Sequence, residues 1–154
     1  MVDGERIAFE SVNDALRDVF NNVSWIEEAS LHGSDFKDIS LKEMHIIAAI
    51  SMYEKARASE VARTVHLTPS AMSSAIDKLV QKGYVQRRRS EADRRVVKLA
   101  LTHRGRVVYR AHAAFHRNMT HWLIDSLSDH DAQVVEAAIM HLQDYVQNLN
   151  QSIK

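Results

Sequence analysis

The stretch from Ser59 to Gly105 limits what this chain can fold into more than any other. Its pattern predicts a short helix, a second helix opened by Thr68-Pro69, and a hairpin crowded with arginine. Thr is a good N-cap, and Pro at the first helical position gives up an N–H that has no partner there anyway. The second helix carries Met72, Ile76, Leu79 and Val80 as its inward face, and Gly83 follows where a left-handed residue ends a helix. Tyr84 to Arg89 and Val96 to Leu101 alternate as two strands, with Ser90-Glu91-Ala92-Asp93 as the turn. Between Lys78 and Arg110 stand eleven Lys and Arg against two acids, while the rest of the chain holds nine basic and eighteen acidic residues. A formally neutral chain thus contains one cationic edge behind a helix-turn-helix pattern. Duplex DNA demands that distribution of charge.

Helices flank this segment. Phe9, Val12, Leu16, Val19, Phe20, Val23 and Ile26 recur at steps of three and four, predicting a helix from residue 9 to about 32, broken by Gly33-Ser34-Asp35. Ser40 with Glu43 has capping-box spacing and opens a helix through Met44, Ile47, Ala48 and Ile50 to about Met52. A long helix is expected from His103 to Ser126, with Val108, Ala111, Phe115, Met119 and Trp122 as its stripe. Ser128, with Asp131 three residues on, opens a last helix through Val135, Ala138, Leu142, Tyr145 and Leu149. The expected fold is mainly α with a small two-stranded β-wing. It is one domain: a winged helix-turn-helix lobe over about 40–102, held between helices at about 8–33 and 103–150.

The end helices present apolar stripes of roughly six turns, more than the small lobe can cover. Either they pack on each other within one subunit, or two copies interlock through them as a homodimer, which long uncovered stripes favour. A two-fold dimer sets two recognition helices about one DNA turn apart and implies a palindromic double-stranded operator. Without cysteine, disulfides, thiolate zinc sites and thiol redox sensing are excluded. With no apolar run near 18 residues and no charged-then-apolar leader, a cytoplasmic protein with no membrane partner is expected.

The start of the second helix offers Thr68, Ser70, Ala71, Ser73 and Ser74, with Lys78 a turn later. Short hydroxyl side chains let the backbone approach the major groove, and Ala71 suits a thymine methyl. No bidentate Arg–guanine reader is present among them, so part of the specificity is expected from DNA shape. Arg87, Arg88 and Arg89 on one strand, and Arg94 and Arg95 past the turn, suit a narrow A·T minor groove. Asp93 is expected to brace the hairpin through a charge-assisted bond rather than to touch DNA.

These residues also carry a resemblance. Ser59-Glu60-Val61-Ala62, Lys78-Leu79, Lys82-Gly83-Tyr84-Val85, Asp93-Arg94-Arg95 and Leu101-Thr102-His103-Arg104-Gly105 resemble the MarR family over nearly the whole chain. The resemblance implies a dimeric winged helix-turn-helix regulator, with Ser70, Ser73 and Ser74 matching recognition-helix contacts and Arg94 and Arg95 matching wing contacts. The cysteine-based peroxide-sensing branch does not match. Phe20-Asn21-Asn22-Val23, Ile26-Glu27-Glu28, Phe36-Lys37-Asp38-Ile39-Ser40, Lys42-Glu43-Met44-His45, Arg89-Ser90-Glu91, and His112 with Phe115-His116 are similar to the branch that represses fatty-acid synthesis genes. That likeness implies a long acyl chain, delivered on acyl carrier protein, as co-repressor. The chain would lie in an apolar tunnel under the dimer helices, bordered by His45, His112, Phe115, His116 and Met119, and the acidic carrier would dock on exposed basic residues.

His112 and His116 lie one helical turn apart. With Glu27 and His45 they form a donor set able to hold zinc, and the four positions are similar to those of zinc-sensing MarR members. The competing expectation is that they tie helices together, with no cofactor bound. His32, His66, His103, His121, His130 and His141 share no spacing and are expected at the surface. No phosphate-cradling glycine loop, nucleophile elbow or His-Glu-x-x-His pattern is present, so no enzyme activity is expected. An architectural DNA-binding protein without an effector is the further alternative.

Overall fold

The computed structural model describes residues 2–53, 55–90, 93 and 95–153, with side chains from residue 8 onward. Along them run α1 (Val2–His32), α2 (Leu41–Ala49), β1 (Ala56–Arg57), α3 (Ala58–Thr64), α4 (Pro69–Gln81), β2 (Val85–Arg89), β3 (Val97–Leu101), α5 (His103–Ile124) and α6 (Asp129–Ser152). Three of the helices start where a side chain takes over an orphan backbone donor. Ser40 Oγ accepts the Glu43 N–H at 3.2 Å while Glu43 Oε2 accepts the Ser40 N–H at 2.8 Å, completing the capping box. Thr68 Oγ1 accepts from Ala71 N at 3.2 Å, and Ser128 Oγ accepts from Asp131 N at 3.2 Å.

The wing has a third strand that the sequence pattern did not reveal. β3 lies between β1 and β2, antiparallel to both, with Ala56 opposite Leu99, Val85 opposite Leu101 and Arg89 opposite Val97. Two residues are too few to display a period of two, so β1 is silent in sequence. Other boundaries also move. α1 begins at Val2, not near residue 9, and α2 stops at Ala49 because Ile50 turns extended, with φ −86° and ψ 131°. Val80, expected to face inward, is 39 % exposed. Met72, Ile76 and Leu79 already complete the buried stripe, and Val80 lies about 100° further round the helix. In the hairpin turn Ser90 N donates to Val96 O at 3.1 Å and Val96 N to Asp93 O at 3.0 Å; Glu91 and Ala92 lie outside the described residues.

The chain divides into two compact units, one ending at His112 and the other running from Ala113. In the first, Leu31 of α1 joins Ile39, Ile46, Ile47 and Ile50 around α2, Val61 of α3, Ile76 and Leu79 of α4, and Leu99 and Leu101 of β3 in one buried cluster. Tyr84 is fully buried there, its hydroxyl donating to Asp38 Oδ1 at 2.6 Å. Burial, and then the Asp38 carboxylate, push its phenol well above the ordinary tyrosine range. Gly83 takes φ 80°, the left-handed conformation expected past the end of α4.

The second unit holds the C-terminal half of α5 and α6. None of the described residues of α6 is buried, and Val134, Ile139, Met140, Tyr145, Val146 and Leu149 are exposed along it. On α1, Phe9, Val12, Val19, Phe20, Trp25 and Ile26 are likewise exposed. No helix of the described residues is long and apolar enough to cross a membrane.

Candidate nucleic-acid interface and effector site

α4 buries Met72, Ile76 and Leu79 and turns Thr68, Ser70, Ala71, Ser73, Ser74 and Lys78 outward. All six residues expected on the reading face are exposed, although the Thr68 hydroxyl is already engaged as the cap. Their placement follows from the 3.6-residue period, since three apolar positions at steps of four and three leave one continuous polar face.

β2 alternates below them. Val85 is buried, and Arg87, on the same face two residues on, turns its guanidinium onto α4, pairing with Asp77 and donating to the Ser73 carbonyl at 3.1 Å. Arg88 reaches Gln86 Oε1 at 3.3 Å. Arg95 is 93 % exposed at the wing tip. Its backbone N–H donates to Asp93 Oδ1 at 2.9 Å, and its Nε lies 3.4 Å from the same oxygen. Asp93 therefore braces the hairpin as expected. Arg94 lies outside the described residues.

Between α3, α4 and the wing runs a groove of about 910 Å³. Its floor includes Ala62, Leu67, Met72 and Ile76, and its rim carries Arg57, Arg63, Arg87, Arg88, Arg89 and Arg95. Guanidinium groups are planar, permanently charged donors matched to phosphate oxygens. Arg57 and Arg63 were missed from sequence because they stand outside the Lys78–Arg110 cluster. The signal that could have found them is their position flanking the first helix of the helix-turn-helix.

A second constellation lies within the first unit. Glu27 of α1 is buried, with its Oε1 3.1 Å from His112 Nε2 of α5 and its Oε2 3.4 Å from His45 Nε2 of α2. The imidazoles meet edge to face, with ring centroids 5.5 Å apart. One donor atom from each of the three residues lies within 4.8 Å of the others. Three of the four expected zinc donors therefore converge, and their geometry also serves as two imidazole–carboxylate contacts joining three helices. Ligands about 2.0–2.2 Å from a tetrahedral zinc stand roughly 3.3 Å apart; the Glu27–His112 and Glu27–His45 separations of 3.1 and 3.4 Å are close to that, each to a different carboxylate oxygen. Phe115, His116 and Met119 lie in the second unit, where the Phe115 and His116 rings meet edge to face at 5.3 Å. The other six histidines are exposed, as expected.

A family model described as MarR family matches residues 39–97. The chain is 39 % identical to FabT of Streptococcus pneumoniae, whose crystal structure was determined in complex with DNA; the TM-score is 0.82, covering 92 % of this chain and 99 % of that one. The chain belongs to the MarR family. Among curated proteins, it is 32 % identical over 79 residues to the HTH-type transcriptional regulator BilQ of Clostridium symbiosum, 51 % of this chain and 55 % of that protein. It is 26 % identical over 84 residues to the HTH-type transcriptional repressor MdtR of Bacillus subtilis, 54 % of each. The chain spans about half the length of these two curated relatives, whereas the similarity to FabT extends over the terminal helices as well.

Proposed function

We propose that this MarR protein is a transcriptional repressor that binds a palindromic DNA operator as a homodimer. Its target genes belong to fatty-acid synthesis, and a long-chain acyl group on acyl carrier protein is the co-repressor. The observation that carries the DNA reading is the groove whose rim sets arginines of the wing and of α3 beside Ser73 of α4. Thr68, Ser70, Ala71, Ser73, Ser74 and Lys78 enter the major groove, while Arg88, Arg89, Arg94 and Arg95 reach phosphates and the adjacent minor groove. Arg87 supports them from the root of the wing. The exposed apolar residues of α1 and α6 support the two-fold partner. The likeness to FabT over both the lobe and the terminal helices supports the choice of target genes, and the acyl ligand is what the sequence resemblance implies. Acyl carrier protein, being acidic, docks on exposed basic residues, and His45, His112, Phe115, His116 and Met119 border the acyl chain.

The donor separations around Glu27 favour one second reading, a zinc-responsive repressor that uses Glu27, His45, His112 and His116. In it the ion would fasten α1, α2 and α5 together, setting the lobe for DNA. A single anisotropy experiment on duplexes from upstream of fatty-acid synthesis genes separates the two. Long-chain acyl carrier protein is expected to tighten binding, with micromolar zinc doing little. Zinc-driven binding abolished by a chelator selects the second reading instead. In the same assay Arg94→Ala with Arg95→Ala is expected to weaken binding and lower the salt slope by roughly 3.6, about 0.9 for each of the four phosphate contacts that a dimer loses. Unchanged binding removes the wing from the interface.

A further inference from the structure

Arg87 is far less exposed than Arg95: its side chain is 36 % exposed against 93 %. It shares a strand face with buried Val85, so β2 aims it at α4 while leaving it partly open to solvent. Ser73 and Asp77 lie one turn apart on α4, and a single guanidinium spans both. Nη1 pairs with the Asp77 carboxylate, and Nη2 donates to the Ser73 carbonyl at 3.1 Å with the Ser73 hydroxyl at 3.5 Å. Asp77 is the one acid of α4. Left unpaired, it would present a negative charge on the helix that must approach phosphates.

We infer that Arg87 is a positioning residue for DNA recognition, acting through Asp77: its fork locks the recognition helix to the root of the wing and cancels the carboxylate on the reading helix. This rests on the DNA-binding reading above. The wing and helix can read adjacent grooves only if the angle between them is held, and a two-point fork holds an angle where a single point charge does not. The Ser73 hydroxyl, 3.5 Å from Arg87 Nη2, sits where the fork meets the reading face.

The full-length protein is first used to select duplexes from a random library. Affinity for the best selected duplex and for an unselected one is then measured with Arg87→Ala, Arg87→Lys, Asp77→Ala and the double variant. Asp77→Ala keeps a good helix former, and thermal melting verifies that each variant is folded. It is expected to weaken the selected duplex about fivefold, the upper scale of an exposed ion pair, while the unselected duplex stays within about twofold. Arg87→Lys is expected to behave in the same way, and the double variant to bind no worse than Arg87→Ala. A direct phosphate contact predicts otherwise. In that case Asp77→Ala tightens both duplexes or leaves them unchanged, Arg87→Lys rescues binding, and the two losses add. Any of these results overturns the positioning role, as does an equal loss on both duplexes. Selection that enriches no duplex overturns the DNA-binding reading itself, and the positioning role with it.

Discussion

Single residues mark where the lobe has no slack. A Cβ on Gly105 would stand 2.2 Å from the Tyr84 carbonyl oxygen, a backbone atom that cannot swing aside. The start of α5 is pressed there because Thr102 N donates to Tyr84 O at 3.0 Å and Thr102 Oγ1 accepts from Gly105 N at 3.1 Å. Gly105→Ala is expected to cost at least about 2 kcal/mol, seen as a lower urea midpoint with the slope unchanged. His66, in the turn before α4, holds φ 53° without being glycine. Asn tolerates that region and β-branched residues do not. His66→Val should therefore lose about 1–2 kcal/mol while His66→Asn stays close to the parent, both measured by the same denaturation. His66 in sequence carries no sign of this strain, which belongs to the fold around it.

At the scale of elements, α2 links the cap box to the recognition helix. Glu43 closes the capping box and its carboxylate also accepts from Lys82 Nζ at 2.8 and 2.9 Å, where Lys82 caps the C-terminal end of α4. Burial alone would raise the Glu43 pKa. The Lys82 ammonium and the Ser40 N–H and hydroxyl outweigh it and hold the carboxyl below the usual glutamate value. With the folded pKa depressed, the unfolded chain binds a proton first. The stabilisation is complete above the ordinary carboxylate range and disappears as pH falls through the lower folded value. Glu43→Gln is expected to lose about 1–2 kcal/mol at pH 7 and to show a flatter acid limb, read from urea midpoints between pH 7 and pH 3. Ser40 with Glu43 was legible as a cap because both partners lie within one turn. Lys82, 39 positions further on, was not.

For the molecule as a whole, the exposed apolar faces of α1 and α6 are the surface the proposed dimer would cover. Phe20 on α1 is 63 % exposed and Leu149 on α6 is 45 % exposed, costs that a dimer removes. Phe20→Glu and Leu149→Glu are each expected to weaken dimerisation at least about tenfold, followed by sedimentation velocity over a dilution series. A sedimentation profile that stays at one species for both variants would place the interface elsewhere. Operator affinity should fall in step, because each palindromic half-site then binds without its neighbour. Both stripes were legible in sequence from their spacing. Their exposure was not, since an amphipathic helix reads the same whether its partner is in the same chain or in another.

Local chemistry explains which features the chain declares by itself. The starts of α2, α4 and α6, the alternating hairpin, the glycine after α4, the polar face of the recognition helix and the cationic edge each depend on residues a few positions apart. Spacing and residue type are enough to read them. Tertiary structure alone decided which distant charges meet. It set Glu27 between His45 and His112 from three helices, turned Arg87 from solvent onto Asp77, added Arg57 and Arg63 to the rim of the groove, and fitted Gly105 against Tyr84. These partners lie from ten to more than eighty residues apart, and only the packing of the core brings them within a few ångströms.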